Sequence, residues 1–125
     1  MATGTIEKVV PTSSAEDSNG YCKMPDGTLI CWGTITKNVS SWGRWPSGST
    51  TPYLYQKQID ISDHSYPVAF YYYPQLTVNI AGSNWALIAS CSTTKTGVSQ
   101  IAIVRPNEYT GDFMFRYIAV GRWKA

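Results

Sequence analysis

The feature that most constrains the fold is a series of short β-rich runs that recur at regular spacing, with turn residues between them. From Gly20 onward the chain holds about seven such runs, separated by clusters of Gly, Pro, Asn, Asp and Ser. No stretch of about 11 residues or more repeats apolar side chains with the 3.6-residue period of an amphipathic helix. The sequence therefore predicts an all-β fold, an antiparallel β-sandwich, over residues 20–125.

The first hairpin can be given a register from its turn residues. The run YCKMPDGTLICWG places two β-rich segments around Pro25–Gly27. A two-residue turn would pair Cys22 with Cys31, but it would also put Pro25, which has no N–H, at a ladder position. A three-residue loop with its glycine in the left-handed bulge position avoids this and pairs Cys22 with Ile30. This register is favoured, and it predicts no disulfide between Cys22 and Cys31.

The remaining runs define the rest of the predicted strands. These strands are Thr28–Lys37, Tyr53–Ile61, two pieces of Pro67–Ile80 split by Pro74, Asn84–Ser92, Val98–Val104 and Phe113–Trp123. Residues 38–52 and 105–112 are interpreted as loops because they are rich in Ser, Gly, Pro and Asn.

The last predicted strand is apolar on both faces. One face carries Phe113, Phe115, Tyr117, Ala119 and Trp123, and the other carries Met114, Arg116, Ile118, Val120 and Arg122. This pattern suits a strand with a core on one side and a partner subunit on the other. A central strand covered by a loop is the alternative.

The composition excludes several functional classes. A chain of 125 residues fits one domain, and its net charge of +2 with only 14% charged residues gives no basic face for nucleic acid. One histidine, three cysteines and no CxxC motif argue against a four-ligand zinc site, and no cofactor motif is present. No apolar run approaches the ~18 residues of a membrane span, and no secretory signal is visible. We therefore expect no metal, cofactor, nucleic acid or membrane insertion, and free thiols suited to a reducing cytoplasm.

Residues 1–19 differ in composition from the rest of the chain. The sequence MATGTIEKVVPTSSAEDSN is polar and lacks sustained periodicity. It is predicted to be an N-terminal tail or linker that joins the domain to something upstream.

Three ordered stretches resemble the C-terminal receptor-binding domains of tailed-bacteriophage tail fibres. The run NGYCKMPDGTLICWGTI is similar to the family's opening hairpin, "NG-Y-K-F-DGT-I-WG". The run YPVAFYYYPQLTVNI is similar to its "FP-aF--P-V-v" segment, and the ending YIAVGRWKA resembles its "YIAIGRWK" terminus. The matches span roughly residues 19–125, and this family is similar in pattern to H-type lectins.

The resemblance implies a trimeric, H-type-lectin-like β-sandwich with an adhesive role. It predicts a non-enzymatic fibre tip that binds a bacterial surface carbohydrate, assembles in the host cytoplasm and resides in the virion. The N-terminal linker would join a fibre shaft, another tail-fibre protein or a baseplate protein. Two rival functions stay open: a structural module that closes the fibre trimer without binding a receptor, and a surface-polysaccharide hydrolase.

The carboxylates give little support to hydrolysis. A glycosidase needs two carboxyl groups held across the sugar ring. Outside the predicted tail and the Asp26 turn, the candidates are Asp60, Asp63, Glu108 and Asp112. Asp60 and Asp63 follow a strand, where Asp commonly supports a turn. His64, Asp63 and a serine could form a Ser-His-Asp triad, but the sequence has no motif for the sharp turn that presents a nucleophilic serine. The favoured interpretation of His64 is a surface or turn residue.

Candidate carbohydrate contacts come from aromatic side chains outside the alternating strand patterns. Trp42, Arg44 and Trp45 lie in the Ser/Gly-rich loop, where flat rings and a guanidinium suit the C–H face and the hydroxyls of a sugar. If so, Trp42→Ala and Trp45→Ala would weaken adsorption and leave stability nearly unchanged. Packing of one or both rings over the sandwich edge is the alternative.

A second group of candidates lies between the predicted strands. Alternation in Tyr71-Tyr72-Tyr73 must leave at least one ring outside the monomer core, so Tyr71 and Tyr72 are candidate contacts. The neighbouring turn adds His64 and Tyr66. The other tryptophans, Trp32, Trp85 and Trp123, fall in predicted strands and are assigned to the core or a subunit interface.

Overall fold

Two antiparallel β-sheets share one buried core in the computed structural model, which describes residues 6–9 and 19–125. The first sheet, in the spatial order β1-β2-β3-β9-β6, contains β1 (Glu7–Val9), β2 (Gly20–Lys23), β3 (Thr28–Val39), β9 (Gly111–Arg122) and β6 (Gln75–Ala81). The second sheet, in the order β4-β5-β8-β7, contains β4 (Gly43–Trp45), β5 (Leu54–Asp60), β8 (Val98–Arg105) and β7 (Leu87–Thr93). The predicted all-β sandwich is confirmed.

The predicted register of the first hairpin is also confirmed. Cys22 pairs with Ile30 and Tyr21 pairs with Cys31. Gly27 has a φ of +102°, the left-handed conformation that the three-residue loop requires. Cys31 is buried in the core, whereas Cys22 lies on the opposite face of the sheet.

The β3–β9 pair is the longest element of the fold and carries most of the first sheet's core. The two 12-residue strands pair without interruption from Thr28–Arg122 to Val39–Gly111. The predicted inner face of β9 is confirmed, because Phe113, Phe115, Tyr117 and Ala119 are all buried. On its other face Ile118 and Val120 are exposed, so both faces of β9 carry apolar side chains and the described residues leave one of these faces uncovered.

Two predicted strands differ from the structure. In Pro67–Ile80 only Gln75–Ala81 is a strand, because Pro67 and Pro74 cannot donate to a ladder. The segment between the prolines is instead hydrogen-bonded to residues of other parts of the chain. The Phe70 and Tyr71 N–H groups donate to the carbonyls of Lys95 and Arg122 at 2.8 and 2.7 Å.

The strand β7 does not alternate regularly. A bulge between Ile88 and Ser90 interrupts the alternation, so that Ile88 and Cys91 pack against the core. Trp85, predicted to lie in the core or at a subunit interface, is exposed and therefore lies outside the core of this chain, and Leu87 is exposed as well. An extra residue in one strand cannot be read from a period of two.

Two short strands were not predicted. The strand β4 forms inside the predicted 38–52 loop and pairs with β5. The strand β1 pairs with β2 and lies inside the predicted N-terminal tail; the rest of that tail, residues 1–5 and 10–18, falls outside the described residues. Within the described residues no helix is long and apolar enough to cross a membrane.

Candidate functional site

The loop that follows β3 separates its two tryptophans. Trp42 is only 7% exposed, and its indole N–H donates to the Tyr109 carbonyl at 2.8 Å. Its ring meets Phe113 edge-on with centroids 5.9 Å apart. The expectation that Trp42 offers its face to a ligand is therefore corrected: the ring packs in the core, which is the alternative left open by the sequence.

Trp45 remains on the surface, as expected for a contact residue. It is 52% exposed and lies against Tyr53, which is also exposed, with ring centroids 6.0 Å apart. The Tyr53 N–H donates to the Trp45 carbonyl at 2.8 Å, and the neighbouring Arg44 guanidinium donates to the Ser49 carbonyl at 3.0 Å. The first hydrogen bond holds the two rings together, and the second ties the Arg44 side chain to the turn that follows β4. We refer to Arg44, Trp45 and Tyr53 as the β4 patch.

A second exposed aromatic group lies between β5 and β6. Tyr71, Tyr72 and Tyr73 are all exposed, which confirms that at least one ring lies outside the monomer core. Tyr71 and Tyr72 meet edge-on with centroids 4.7 Å apart, and the Lys95 ammonium lies 5.7 Å from the Tyr73 ring centre. We refer to these three tyrosines as the tyrosine patch.

The structure does not bring His64 and Tyr66 to that surface. Tyr66 is buried, its hydroxyl is hydrogen-bonded to the Thr93 hydroxyl, and burial raises its pKa. His64 lies in a turn, as expected, but its ring is half-buried and its Nε2 is 2.9 Å from the Tyr117 hydroxyl. Burial lowers the His64 pKa. Tyr66 is therefore corrected from a candidate contact to a core residue.

The sequence does not predict the cluster formed by Arg105, Trp85 and Tyr109. Arg105, at the end of β8, is 7% exposed and its guanidinium lies 5.1 Å from the Trp85 ring centre and 5.2 Å from that of Tyr109. Both rings are largely exposed. Trp85 had been assigned to the core or an interface, and Arg105 to a loop. The available signal was the period of two, which places Arg105 on the same face as Ile101 and Ile103.

The uncovered face of the first sheet contains a shallow depression of about 590 Å³. Its rim combines apolar and polar side chains from three strands: Trp32, Thr34, Thr77, Asn79, Arg116 and Ile118. Because it extends over the sheet beside the exposed Ile118 and Val120, it is suited to contact by another chain.

The carboxylates serve local structure. Asp26 and Asp60 accept the backbone N–H of the second residue after each, Thr28 and Ser62, at 2.9 and 2.8 Å. Asp63 accepts both of its hydrogen bonds from the Lys37 ammonium, at 2.7 and 2.8 Å. These hydrogen bonds hold the pKa values of all three carboxyls below the usual range. Across residues 6–9 and 19–125, no three His, Cys, Asp or Glu side chains are grouped to hold a metal ion.

Comparison with known proteins gives a fold likeness and no sequence family. No protein-family model matches the chain, and no curated protein matches it. An N-truncated R1-type pyocin tail fibre aligns with a TM-score of 0.50 and 14% identity over 90% of this chain and 86% of that one. A P. aeruginosa R1 pyocin fibre fragment, C-terminal residues 323–701, aligns with a TM-score of 0.49 and 16% identity over 94% of this chain. This chain spans 28% of the length of that longer fragment.

Proposed function

We propose that this chain is the receptor-binding tip of a phage-type tail fibre and that it binds carbohydrate on a bacterial surface without cleaving it. The fold, which is similar to that of an R1-type pyocin tail fibre, supports the fibre role. The observation that carries the binding role is the ring pair of the β4 patch, in which Trp45 is 52% exposed and lies against the exposed Tyr53.

The β4 patch has the chemistry that a neutral or acidic sugar needs. Trp and Tyr rings present flat apolar faces with a polar tip, and the C–H face of a pyranose can stack on them. Arg44 has further donors to offer to sugar hydroxyls, since its one side-chain hydrogen bond within the described residues, at 3.0 Å, uses Nη1. The tyrosine patch provides a second surface of the same type.

The hydrogen bonds of Asp60 and Asp63, two of the four candidate carboxylates, support a role without hydrolysis. A glycosidase keeps one carboxyl protonated by raising its pKa, whereas the pKa values of Asp26, Asp60 and Asp63 are lowered by hydrogen bonds. Asp63 is already engaged by Lys37. These groups are suited to holding turns rather than to donating a proton.

The proposal includes a homotrimer formed through the uncovered face of the first sheet. Ile118 and Val120 are exposed there beside the half-buried Trp32, and the centres of subunit interfaces are rich in such apolar and aromatic side chains. The same face favours the second candidate function, a module that closes the fibre trimer while another protein contacts the host. In either case we infer that the N-terminus leads to another tail-fibre or baseplate protein, that the chain is assembled in the host cytoplasm and that it resides in the virion.

A glycan array separates the two candidate functions. The purified chain should retain a defined subset of bacterial surface glycans, and incubation with a retained polysaccharide should release no shorter products. A trimer that retains no glycan would support the structural module, and new reducing ends would contradict the non-enzymatic proposal.

Light scattering in dilute buffer tests the trimer. The expected mass is about three times 13.9 kDa. Ile118→Asp, which places a charge on the uncovered face, should yield monomers. A wild-type chain that is monomeric throughout would contradict the assignment of this face.

A further inference from the structure

Arg105 occupies a position that the strand pattern reserves for the core. Successive inward-facing residues of β8 are Ile101, Ile103 and Arg105, and the first two are fully buried. Arg105 pairs with Tyr55 of β5 at the end of the sheet and is itself 7% exposed. The charged guanidinium therefore lies at the end of the β5–β8 ladder, where the protein shields it from most of the bulk water.

The guanidinium has few partners for a buried cation. Its Nη2 donates to Asn107 Oδ1 at 3.4 Å, and its Nε is buried with no partner among the described residues. No carboxylate of residues 6–9 and 19–125 forms an ion pair with it. The remaining contacts are the rings of Trp85 and Tyr109, both within the ~6 Å range of a cation–π interaction.

The buried guanidinium of Arg105 is not an arrangement that stability alone would favour. The buried Nε–H of Arg105 lacks an acceptor among the described residues, and an unpaired donor of a charged group costs free energy that two ring faces recover only in part. Buried charges of this kind can often be replaced by an apolar side chain of similar volume with no loss of stability. An anion that reaches the guanidinium would supply the missing acceptors.

Both rings beside Arg105 are open to solvent, and Tyr109 is also held in place. Trp85 is 51% exposed and Tyr109 is 40% exposed. Tyr109 is fixed by the Trp42 N–H on its carbonyl at 2.8 Å and by edge-on packing against Phe113. A ligand would therefore meet two flat rings beside one buried cation, with little reorganisation of Tyr109.

The cluster shares one face of its sheet with Arg44 of the β4 patch, whereas Trp45 alternates to the other face. Arg44 of β4 pairs with Tyr55, which pairs with Arg105, so the three residues form one row across three strands. At the usual strand spacing, the backbones of Arg44 and Arg105 are about 10 Å apart.

We propose that Arg105, Trp85 and Tyr109 form a subsite for the anionic group of an acidic sugar, carried as a carboxylate or a phosphate. The guanidinium fork matches the oxygens of either group, and the rings contact the apolar face of the sugar. The choice of a sugar as the carrier rests on the proposed function; the anion preference rests on Arg105.

The probes are glucose, glucuronic acid and glucose 6-phosphate, titrated separately at constant ionic strength while the indole N–H signal of Trp85 is followed by NMR. At least one acid should shift this signal and saturate at a concentration about tenfold or more below that of glucose, since a charged hydrogen-bonding pair is lost with the neutral sugar. The stronger of the two acids identifies the carboxylate or the phosphate as the preferred group. Equal saturation by all three sugars would overturn the proposal.

Arg105→Met removes the charge and keeps the length of the side chain. It should abolish the preference for acids and melt at a temperature equal to or above that of the wild type. The control Lys124→Met removes one exposed positive charge elsewhere and should keep the preference. An Arg105→Met variant that still prefers the acids to glucose would overturn the proposal. A Trp85→Ala variant that binds the acids as the wild type does, while melting at a much lower temperature, would also overturn it.

The two proposals fail in different experiments. If the acids saturate at the Trp85 signal but the glycan array stays blank, the anion subsite stands and the receptor role fails. If the array retains glycans but no acid preference appears in the titration, the receptor role stands and the subsite fails.

Discussion

Trp42 and Trp45 lie in the same Ser/Gly-rich segment, yet the structure gives them opposite environments. Trp42 is 7% exposed, and its N–H is satisfied by the Tyr109 carbonyl. Trp45 is 52% exposed, and its ring lies against another surface ring, that of Tyr53. Ser41, with a φ of 57°, turns the chain between β3 and β4 immediately before Trp42. The first tryptophan anchors the loop, and this anchoring keeps the second one in place on the surface.

The comparison shows that an aromatic residue in a polar loop has two distinct uses. A buried ring contributes area and a satisfied donor to the core, as Trp42 does between Phe113 and Tyr109. An exposed ring contributes little to stability and is available to a ligand. Predictions that separate stability from binding therefore distinguish the two residues.

The largest expected effect is on the stability of Trp42→Ala. Loss of a buried ring should lower the free energy of unfolding by about 3–5 kcal/mol, because it leaves a cavity beside Phe113 and an unpaired carbonyl at Tyr109. Urea denaturation measures this loss. Trp42→Phe, which keeps a ring and loses only the N–H, should cost about 1–3 kcal/mol. A Trp42→Ala variant as stable as the wild type would place this ring outside the core.

Much of this fold follows from the sequence because its signals are local. The Pro25–Gly27 turn sets the register of the first hairpin, and the alternation of residues 113–119 identifies the inner face of β9. The rest depends on contacts distant in sequence. Trp42 is buried by Tyr109, 67 residues away, and neither residue lies in a periodic segment.

The candidate site was less predictable than the fold for the same reason. The β7 bulge after Ile88 reverses a face that alternation alone assigns to the core, so Trp85 emerges on the surface. It meets Arg105 because the loop before β7 lies beside the end of β8. Exposure of Trp45 and of Tyr71–Tyr73 was predictable from their places between strands; the burial of Tyr66 was not.

A second prediction concerns the buried His64, the single histidine of the chain. Burial lowers its pKa in the folded state below the ordinary value of about 6.5, so the unfolded state binds the proton more readily. The free energy of unfolding should therefore fall as the pH decreases through 6.5 toward the folded-state pKa. The carboxyls of Asp60 and Asp63 have lowered pKa values, so their protonation lowers the free energy of unfolding only near pH 4 and below.

Urea titrations between pH 7 and pH 5 measure this effect, and His64→Gln is the matched variant. The variant should show a flatter pH dependence than the wild type across that range. Identical slopes for the two proteins would mean that His64 is not buried against Tyr117 as described.

A third prediction compares the thiols on the two faces of the first hairpin. Burial raises the pKa of Cys31 to about 11 and also raises that of Cys91, so both should react slowly with a thiol reagent in the folded protein. Cys22 lies on the opposite face and should react first. After unfolding without reductant, three thiols per chain should be counted. A count of one would indicate a disulfide, and a disulfide between Cys22 and Cys31 would contradict the register.

The smallest expected change in stability is that of Trp45→Ala. The side chain is half in solvent, so its removal should alter the free energy of unfolding by about 0.5 kcal/mol or less. Urea denaturation of Trp45→Ala and Trp42→Ala under the same conditions compares the two losses of unfolding free energy directly. A loss of several kcal/mol would mean that Trp45, like Trp42, is an anchor.

The most direct test of the account is the affinity of Trp45→Ala for a glycan that the wild-type chain retains on an array. Calorimetric titration of that glycan into both proteins should give a several-fold higher Kd for the variant, since an aromatic stacking contact is worth on the order of 1 kcal/mol. Its unfolding free energy should stay unchanged. An unchanged Kd, or a higher Kd that comes with an equally large loss of stability, would contradict the assignment of the β4 patch as the receptor-binding surface.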